Sequence, residues 1–417
     1  MAECWCQNYR SPAQTRGRGR LSYRSVPRPT APGRGLLDAM SSPMHPQAAQ
    51  TLAAAVDAGW ADPRRLYAEA RQAAALLDRA RETIATDLEV APSDLGFHLG
   101  GGPAALAAGL DGLAWPRRRT GARLVASAVE HSAILIPGRY AAAQASDPDL
   151  LAEVPVDALG RVDPHDWAAA LAHPGTAVAA LQQANGEVGI IQPVAAAYER
   201  CREAGVPLLV DGQASLGRLP APETYDALAG DASAVAGPPL GVLVVPARTR
   251  FRRSGPPREA EFGRADAPVW VPMALAAAEA WQQAAAARAS DNAEAERLIA
   301  HVVAAVQGIP DLDIPALAGE RLPHVLTFSA LYVDGEAIVT ELDRRGLAVA
   351  SGSACTSSTL GPSHVLAAMG ALTHGNVRLR LPWAAAVPDR ADAVRRLCAE
   401  LPDVVRELRE RLGVSGL

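Results

Sequence analysis

From about Pro46 onward, short apolar runs alternate with longer stretches in which apolar residues recur every three or four positions. That is the rhythm of strands and helices laid down in turn, as a parallel sheet requires. The runs ARLVAS (Ala122–Ser127), TAVAALQ (Thr176–Gln182), VPLLVD (Val206–Asp211) and GVLVV (Gly241–Val245) read as strands. Helical spacing is plain over Arg64–Ala85 and over Ala391–Leu412. The basic, Gly/Pro-rich segment Thr249–Pro268 reads as a loop marking the join between two domains. After it, His324–Ser357 gives strand, helix, strand and an opening loop, the pattern of a smaller α+β domain. A chain of 417 residues exceeds the size of one hydrophobic core. The expected organisation is a disordered arm over residues 1–36, a large domain over 45–266 and a small C-terminal domain over 267–417. No internal repeat is found.

Composition narrows the class. Hydrophobic residues make up 49% and charged residues 20%, a globular balance, and no apolar run approaches the roughly 18 residues of a membrane span. The net charge of -5 gives no general drive toward nucleic acid or anionic membranes, so small-molecule or protein partners are expected. Five cysteines, unevenly spread and preceded by no secretory segment, point to a reducing cytoplasmic setting. The arm holds seven arginines and one acidic residue, Glu3; a disordered tail, an organelle transit peptide and an over-extended translation start all fit it. Cys4 and Cys6 form a C-x-C pair without a second ligand pair, and no metal site is expected. All 40 residues of the Lys+Arg count are arginine. With no lysine anywhere, no side-chain amine is available for a Schiff base.

The stretch ASGSACTSSTLGPSHVLAAMG (Ala350–Gly370) sets Cys355 among small and hydroxylic residues ahead of a helical segment. A nucleophilic thiol on a loop and an inert loop cysteine are both open readings. With VEHSAIL (from Val129), QQANGEVGIIQPV (from Gln182), VDGQASLGRLP (from Val210) and LPHVLTFSALYVDGEAIVTELDRRGLAV (from Leu322), the chain resembles the cysteine desulfurases. These belong to the class V aminotransferase group of pyridoxal-phosphate enzymes with the type I fold. The resemblance implies an α/β, transferase-like large domain built on a mostly parallel sheet, plus the smaller α+β domain. It also implies a mechanism in which pyridoxal phosphate holds substrate cysteine while an enzyme thiolate takes its sulfur, releasing alanine and leaving a persulfide. By position, Cys355 matches that thiol. Arg378 matches the guanidinium that grips the substrate carboxylate, and Asn185 one of two adjacent asparagines, with Gly186 in place of the other. Asp211 matches the partner of the pyridinium nitrogen and His131 the residue stacked on the ring. Gln213 stands one position early for the family's glutamine, with Ala214 at its place. Gly101 and Gly102 fall in the phosphate cup. Taken singly, Asp211 also reads as a helix N-cap, His131 as a polar core residue and Arg378 as a surface ion pair.

The departures from the family pattern concern the cofactor. In DASAVAGPPLG, Ser233 and Ala234 occupy the places of the histidine and of the lysine that holds pyridoxal phosphate covalently. In the cup, Pro103 replaces a threonine and lacks an N–H. Ala267 stands for a threonine that reaches the partner subunit's phosphate, and VPRPTAP replaces an Asn-Ala-Ala-Thr-Thr-Pro type of stretch. Covalent cofactor binding is therefore not expected, and the pocket is expected to hold pyridoxal phosphate non-covalently or not at all. The leading reading is a degenerate desulfurase homologue that serves sulfur transfer, as a Cys355 persulfide relay or as a partner subunit. Its expected company is a second copy of itself or an active desulfurase, together with a sulfur-acceptor protein. The alternatives are an active, lysine-independent lyase that releases alanine from cysteine, and a non-catalytic scaffold.

Overall fold

The computed structural model describes residues 34–59, 61–351 and 362–414. Cys355 and the arm before Arg34 lie outside the described residues. The strands, in chain order, are β1 (Gly35–Leu36), β2 (Leu95–Leu99), β3 (Arg123–Ser127), β4 (Leu151–Val154), β5 (Thr176–Gln182) and β6 (Leu208–Asp211). They continue with β7 (Ala227–Asp231), β8 (Leu240–Val244), β9 (Leu312–Asp313), β10 (Val325–Ala330), β11 (Leu347–Ala348) and β12 (Asn376–Arg380). The helices are α1 (Pro46–Asp57), α2 (Ala68–Asp87), α3 (Gly101–Ala114), α4 (Ser132–Ala145), α5 (Pro164–Leu171) and α6 (Val194–Ala204). They end with α7 (Val271–Gln307), α8 (Gly335–Arg344), α9 (His364–Ala368) and α10 (Arg390–Arg411).

Seven strands form one sheet in the order β2-β8-β7-β6-β5-β3-β4. The run from β7 through β6, β5 and β3 to β4 is parallel, and β8 alone is antiparallel to its neighbours. The four apolar runs read as strands in the sequence are β3, β5, β6 and β8, with ends shifted by one or two residues. This is the mostly parallel α/β sheet expected from the pattern. Chain reversal at β3, with β4 on one side and β5 on the other, places the loops after the parallel strands at one edge of the sheet. In open α/β sheets that edge is where ligands bind.

A second, three-stranded antiparallel sheet has the order β12-β10-β9. Its core gathers Phe328, Leu379, Val394 and Leu397, whereas Phe97, Trp167 and Trp281 lie in the core of the seven-stranded sheet. The 37-residue helix α7 serves both: Ala274, Ala277 and Trp281 pack in the larger core, and Leu298, Val302 and Val306 in the smaller. Helix α3 lies close against the sheet because it is small-faced. A Cβ on Gly109 would stand 2.8 Å from Leu209 Cδ1.

Candidate functional site

Above the edge formed by the ends of β3, β5, β6 and β7 lies a cavity of about 300 Å³. His131, Asn185, Asp211, Gln213, Ala234 and Arg378, all singled out from the sequence, line it together. Gly101 and Gly102 do not line it, but Gly102 lies directly beneath the Gln213 side chain. Ala267 is exposed and is not part of the lining.

Each side chain is held by the element that carries it. Asp211 ends β6 and is buried; its Oδ1 accepts the Gln213 backbone N–H at 2.8 Å and its Oδ2 accepts Gln213 Nε2 at 3.2 Å. Burial raises its pKa, against the neighbouring His131 imidazole and those hydrogen bonds. His131 is the N-cap of α4, its Nδ1 accepting the Ala133 N–H at 3.0 Å. It is exposed toward the cavity, not a core residue. Arg378 lies buried in β12, not at the surface.

Asn185 fastens its own loop. Its Oδ1 accepts the N–H groups of Glu187 (2.8 Å) and Val188 (2.9 Å), and its Nδ2 donates to Val129 O (3.2 Å). The neighbouring Gly186 has a reason in the same loop. Arg380 Nη2 donates to the Gly186 carbonyl at 3.0 Å, and any side chain at 186 would collide with that guanidinium.

Further lining residues stand inside the same motifs without an assigned role. Glu130, next to His131, is fully buried; its Oε1 accepts the Gln182 N–H at 2.7 Å and its Oε2 has no partner among the described residues. Burial and the charge of Asp211 push its carboxyl well above the ordinary value, against the hydrogen bond from the Gln182 backbone. Glu187 is also raised by burial, moderated by the Ser363 hydroxyl and the charges of Arg378 and His364. His364 Nε2 contacts Glu130 O at 3.0 Å. Asp231, at the end of β7, accepts the Ser233 N–H at 2.8 Å on Oδ1 and the Gly102 N–H on Oδ2. Gly100 and Gly101, both at positive φ, turn the chain from β2 into α3 and aim that N–H at Asp231.

The described thiols contrast with any reactive cysteine. Trp167 Nε1 donates to Cys201 Sγ at 3.4 Å, and burial pushes that thiol up to about 12. Iodoacetamide applied to the native protein at about pH 8 is expected to spare Cys201, with labelling appearing only in denaturant. Peptide mass spectrometry checks this, and native labelling of Cys201 would contradict the packing described.

The sequence of this chain matches the family model "Aminotransferase class-V" over residues 36–227 and 251–381. The chain belongs to the class-V aminotransferase family. This class-V aminotransferase is 31% identical over 322 residues to the cysteine desulfurase IscS of Photorhabdus laumondii subsp. laumondii, covering 74% of this chain and 77% of that protein. It is 30% identical over 309 residues to the cysteine desulfurase NifS of Azotobacter vinelandii, covering 71% and 73%. Among solved structures, a NifS-like protein superposes with a TM-score of 0.79 at 20% identity over 90% of this chain and all (100%) of its own. DndA from Streptomyces lividans gives 0.68 at 23% identity, covering 82% and 97%. The chain is thus a cysteine desulfurase-like member of a pyridoxal-phosphate-dependent family, with that family's fold.

Whether its residues fit that cofactor is a question of chemistry at α3. A phosphate seats on the free N–H groups of a helix N-terminus. Here the Gly102 N–H already points at the Asp231 carboxylate, and Pro103 has none to give. A phosphate brought there would meet a negative charge held in place by two backbone N–H groups. Ala234, at the lysine position, offers the cavity a methyl group, while its carbonyl accepts Trp383 Nε1 at 2.8 Å. The phosphate end of this site does not fit pyridoxal phosphate.

Proposed function

We propose that this protein is a sulfur carrier derived from the cysteine desulfurases, in which Cys355 receives sulfane sulfur made elsewhere and hands it to an acceptor protein. The observation that carries the reading is where the described residues on either side of Cys355 are held. On one side Ala350 exchanges backbone hydrogen bonds with Arg378 (2.7 and 3.1 Å); on the other, Pro362, Ser363 and His364 line the cavity. Both flanks therefore converge on the pocket, while the lysine that would hold the cofactor is absent from the chain.

In the transfer, the Cys355 thiolate attacks the outer sulfur of a donor persulfide. The new S–S bond forms on Cys355 as the old one breaks, the donor leaves as a thiolate, and no net oxidation occurs. A donor of that kind is an active desulfurase, which also makes a heterodimer of like folds a natural arrangement. The cytoplasm, with its reducing poise, suits a free thiol in this role.

The test is mass spectrometry of Cys355 after incubation with an active desulfurase and L-cysteine, with Cys355→Ala as control. Alanine release is measured in parallel from this protein alone with pyridoxal phosphate. Persulfide on Cys355 without alanine is the expected result. Alanine above the Cys355→Ala control would establish the lyase reading instead, and neither product would leave a scaffold.

A further inference from the structure

Carboxyl groups gather at the sheet end of the cavity. Asp211 and Asp231 end neighbouring parallel strands, β6 and β7, and Gln213 ties them into one cluster. The Gln213 amide donates to Asp211, and its side chain covers Gly102, whose N–H is on Asp231. Glu130 lines the same cavity, where the charge of Asp211 is felt at its carboxyl group. An acidic cluster alone would say little, but two of the lining carboxyl oxygens are orphaned. Glu130 Oε2 and Glu187 Oε1 belong to side chains more than nine-tenths buried, and neither has a hydrogen-bond partner among the described residues. Buried polar atoms are seldom left this way unless a ligand or water completes them.

The guanidinium groups of the lining only partly offset this end: the charge of Arg380 bears on Asp211, while the others are directed elsewhere. Arg218 is committed to Asp291 at 2.5 Å and stacks on Trp383 at 3.7 Å. Arg378 bears on Glu187, and Arg380 spans toward the Gly186 carbonyl. The place where a relative would meet an anion has become, in this chain, an anion with acceptor capacity to spare. Each Asp231 oxygen accepts one backbone N–H and can accept another hydrogen bond.

We propose that this end of the cavity seats the ammonium group of a small amine-bearing ligand, bound without covalent attachment, and rejects phosphorylated compounds. The oxygens of Asp231 and Asp211 are the acceptors assigned to the ammonium donors, and a cation bound beside Glu130 would favour its ionised form and so free its orphaned oxygen to accept as well. A free amino acid and a simple primary amine share this chemistry. The former would also place a carboxylate toward Arg378. The inference rests on the reading that the pocket works without the cofactor's phosphate. It does not depend on sulfur transfer, because the assay below never reads Cys355.

The full-length protein is titrated with L-alanine, ethylamine, propionate, inorganic phosphate and pyridoxal phosphate, following the melting temperature and the heat of binding. Saturable binding of L-alanine is expected, with no response to propionate or phosphate. Ethylamine binding as well would mean that the ammonium suffices; its failure would mean that the arginine end is also needed, and either supports the seat. Asp231→Asn is expected to weaken L-alanine binding about tenfold or more, the loss of a charge-assisted hydrogen bond. Glu130→Gln gives a second, independently placed variant with the same expected direction. Saturable binding of phosphate or pyridoxal phosphate, propionate binding as tight as L-alanine, or no binding of either amine would each overturn the proposal.

Discussion

Replacing Asp291 with alanine is expected to destabilise the protein by about 3–5 kcal/mol, the scale for leaving a buried charge, here Arg218, without its counter-ion, while Arg390 keeps Glu294 at 2.7 Å. Asp291 sits in α7 between two buried guanidiniums, with Oδ2 at 2.5 Å from Arg218 and 2.8 Å from Arg390, while its Oδ1 accepts the Ala384 N–H at 2.8 Å. The side chains of Arg218 and Arg390 are 2% and 1% exposed, so water cannot take over when the carboxylate is removed. Burial alone would raise the pKa of Asp291; Arg218 and Arg390 reverse this and hold it below the ordinary value. Burial in turn lowers Arg218 to about 10, still charged at neutral pH. Urea midpoints followed by tryptophan fluorescence give the measurement. Asp291→Asn, which keeps an acceptor but loses the charge, should fall between parent and alanine variant. An alanine variant within about 1 kcal/mol of the parent would show that the network is dispensable. The exposed pair Arg200–Glu203 (2.9 Å), broken by Glu203→Ala, is the control expected to show no measurable change.

Glu130→Gln should move stability the other way, and by an amount that depends on pH. The folded-state pKa of Glu130 lies well above 4.5, so above that value the unfolded chain releases a proton that the folded chain keeps. Stability contributed by this group is complete below the unfolded pKa and is lost as pH rises toward the folded pKa. Glutamine has no proton to release and keeps an acceptor for the Gln182 N–H. The advantage of the variant should therefore grow as pH rises above the unfolded value, by at most ~1.4 kcal/mol per pH unit. Urea midpoints of the two proteins across that rise test it. A difference that does not change with pH would mean that Glu130 ionises in the folded protein as readily as in the unfolded one. The same substitution is expected to weaken amine binding, so the residue trades stability for a ligand.

Strands β3, β5, β6 and β8 were legible because their apolar runs are unbroken and short, whereas β2, β4 and β7 were not picked out; His131, Asp211 and Arg378 were legible because each stands inside a motif of recognisable order. Helix α7 was not separated from its surroundings. It is so rich in alanine that apolar positions occur on every face, and periodicity has no contrast to report. Asp231 was passed over for a different reason. An aspartate at a strand end is ordinary, and only the fold brings it to the N–H of Gly102, 129 residues earlier. Glu130 gave no signal of its burial, since a lone glutamate between Val129 and a histidine reads as a solvated residue. Gly186 looked like the erosion of an asparagine pair. The fold shows that it makes room for Arg380, an arginine two residues beyond the one the motif drew attention to.

The carboxylate of Asp231 also bears on how this protein depends on its cell. A ligand that binds only the native state adds stability according to its concentration. A fold that needs a diffusible anion at a helix N-terminus is therefore sturdier when that anion is plentiful. Here the counter-ion is encoded in the chain and arrives with every copy synthesised. At this helix the partner of the Gly102 N–H comes from the fold itself.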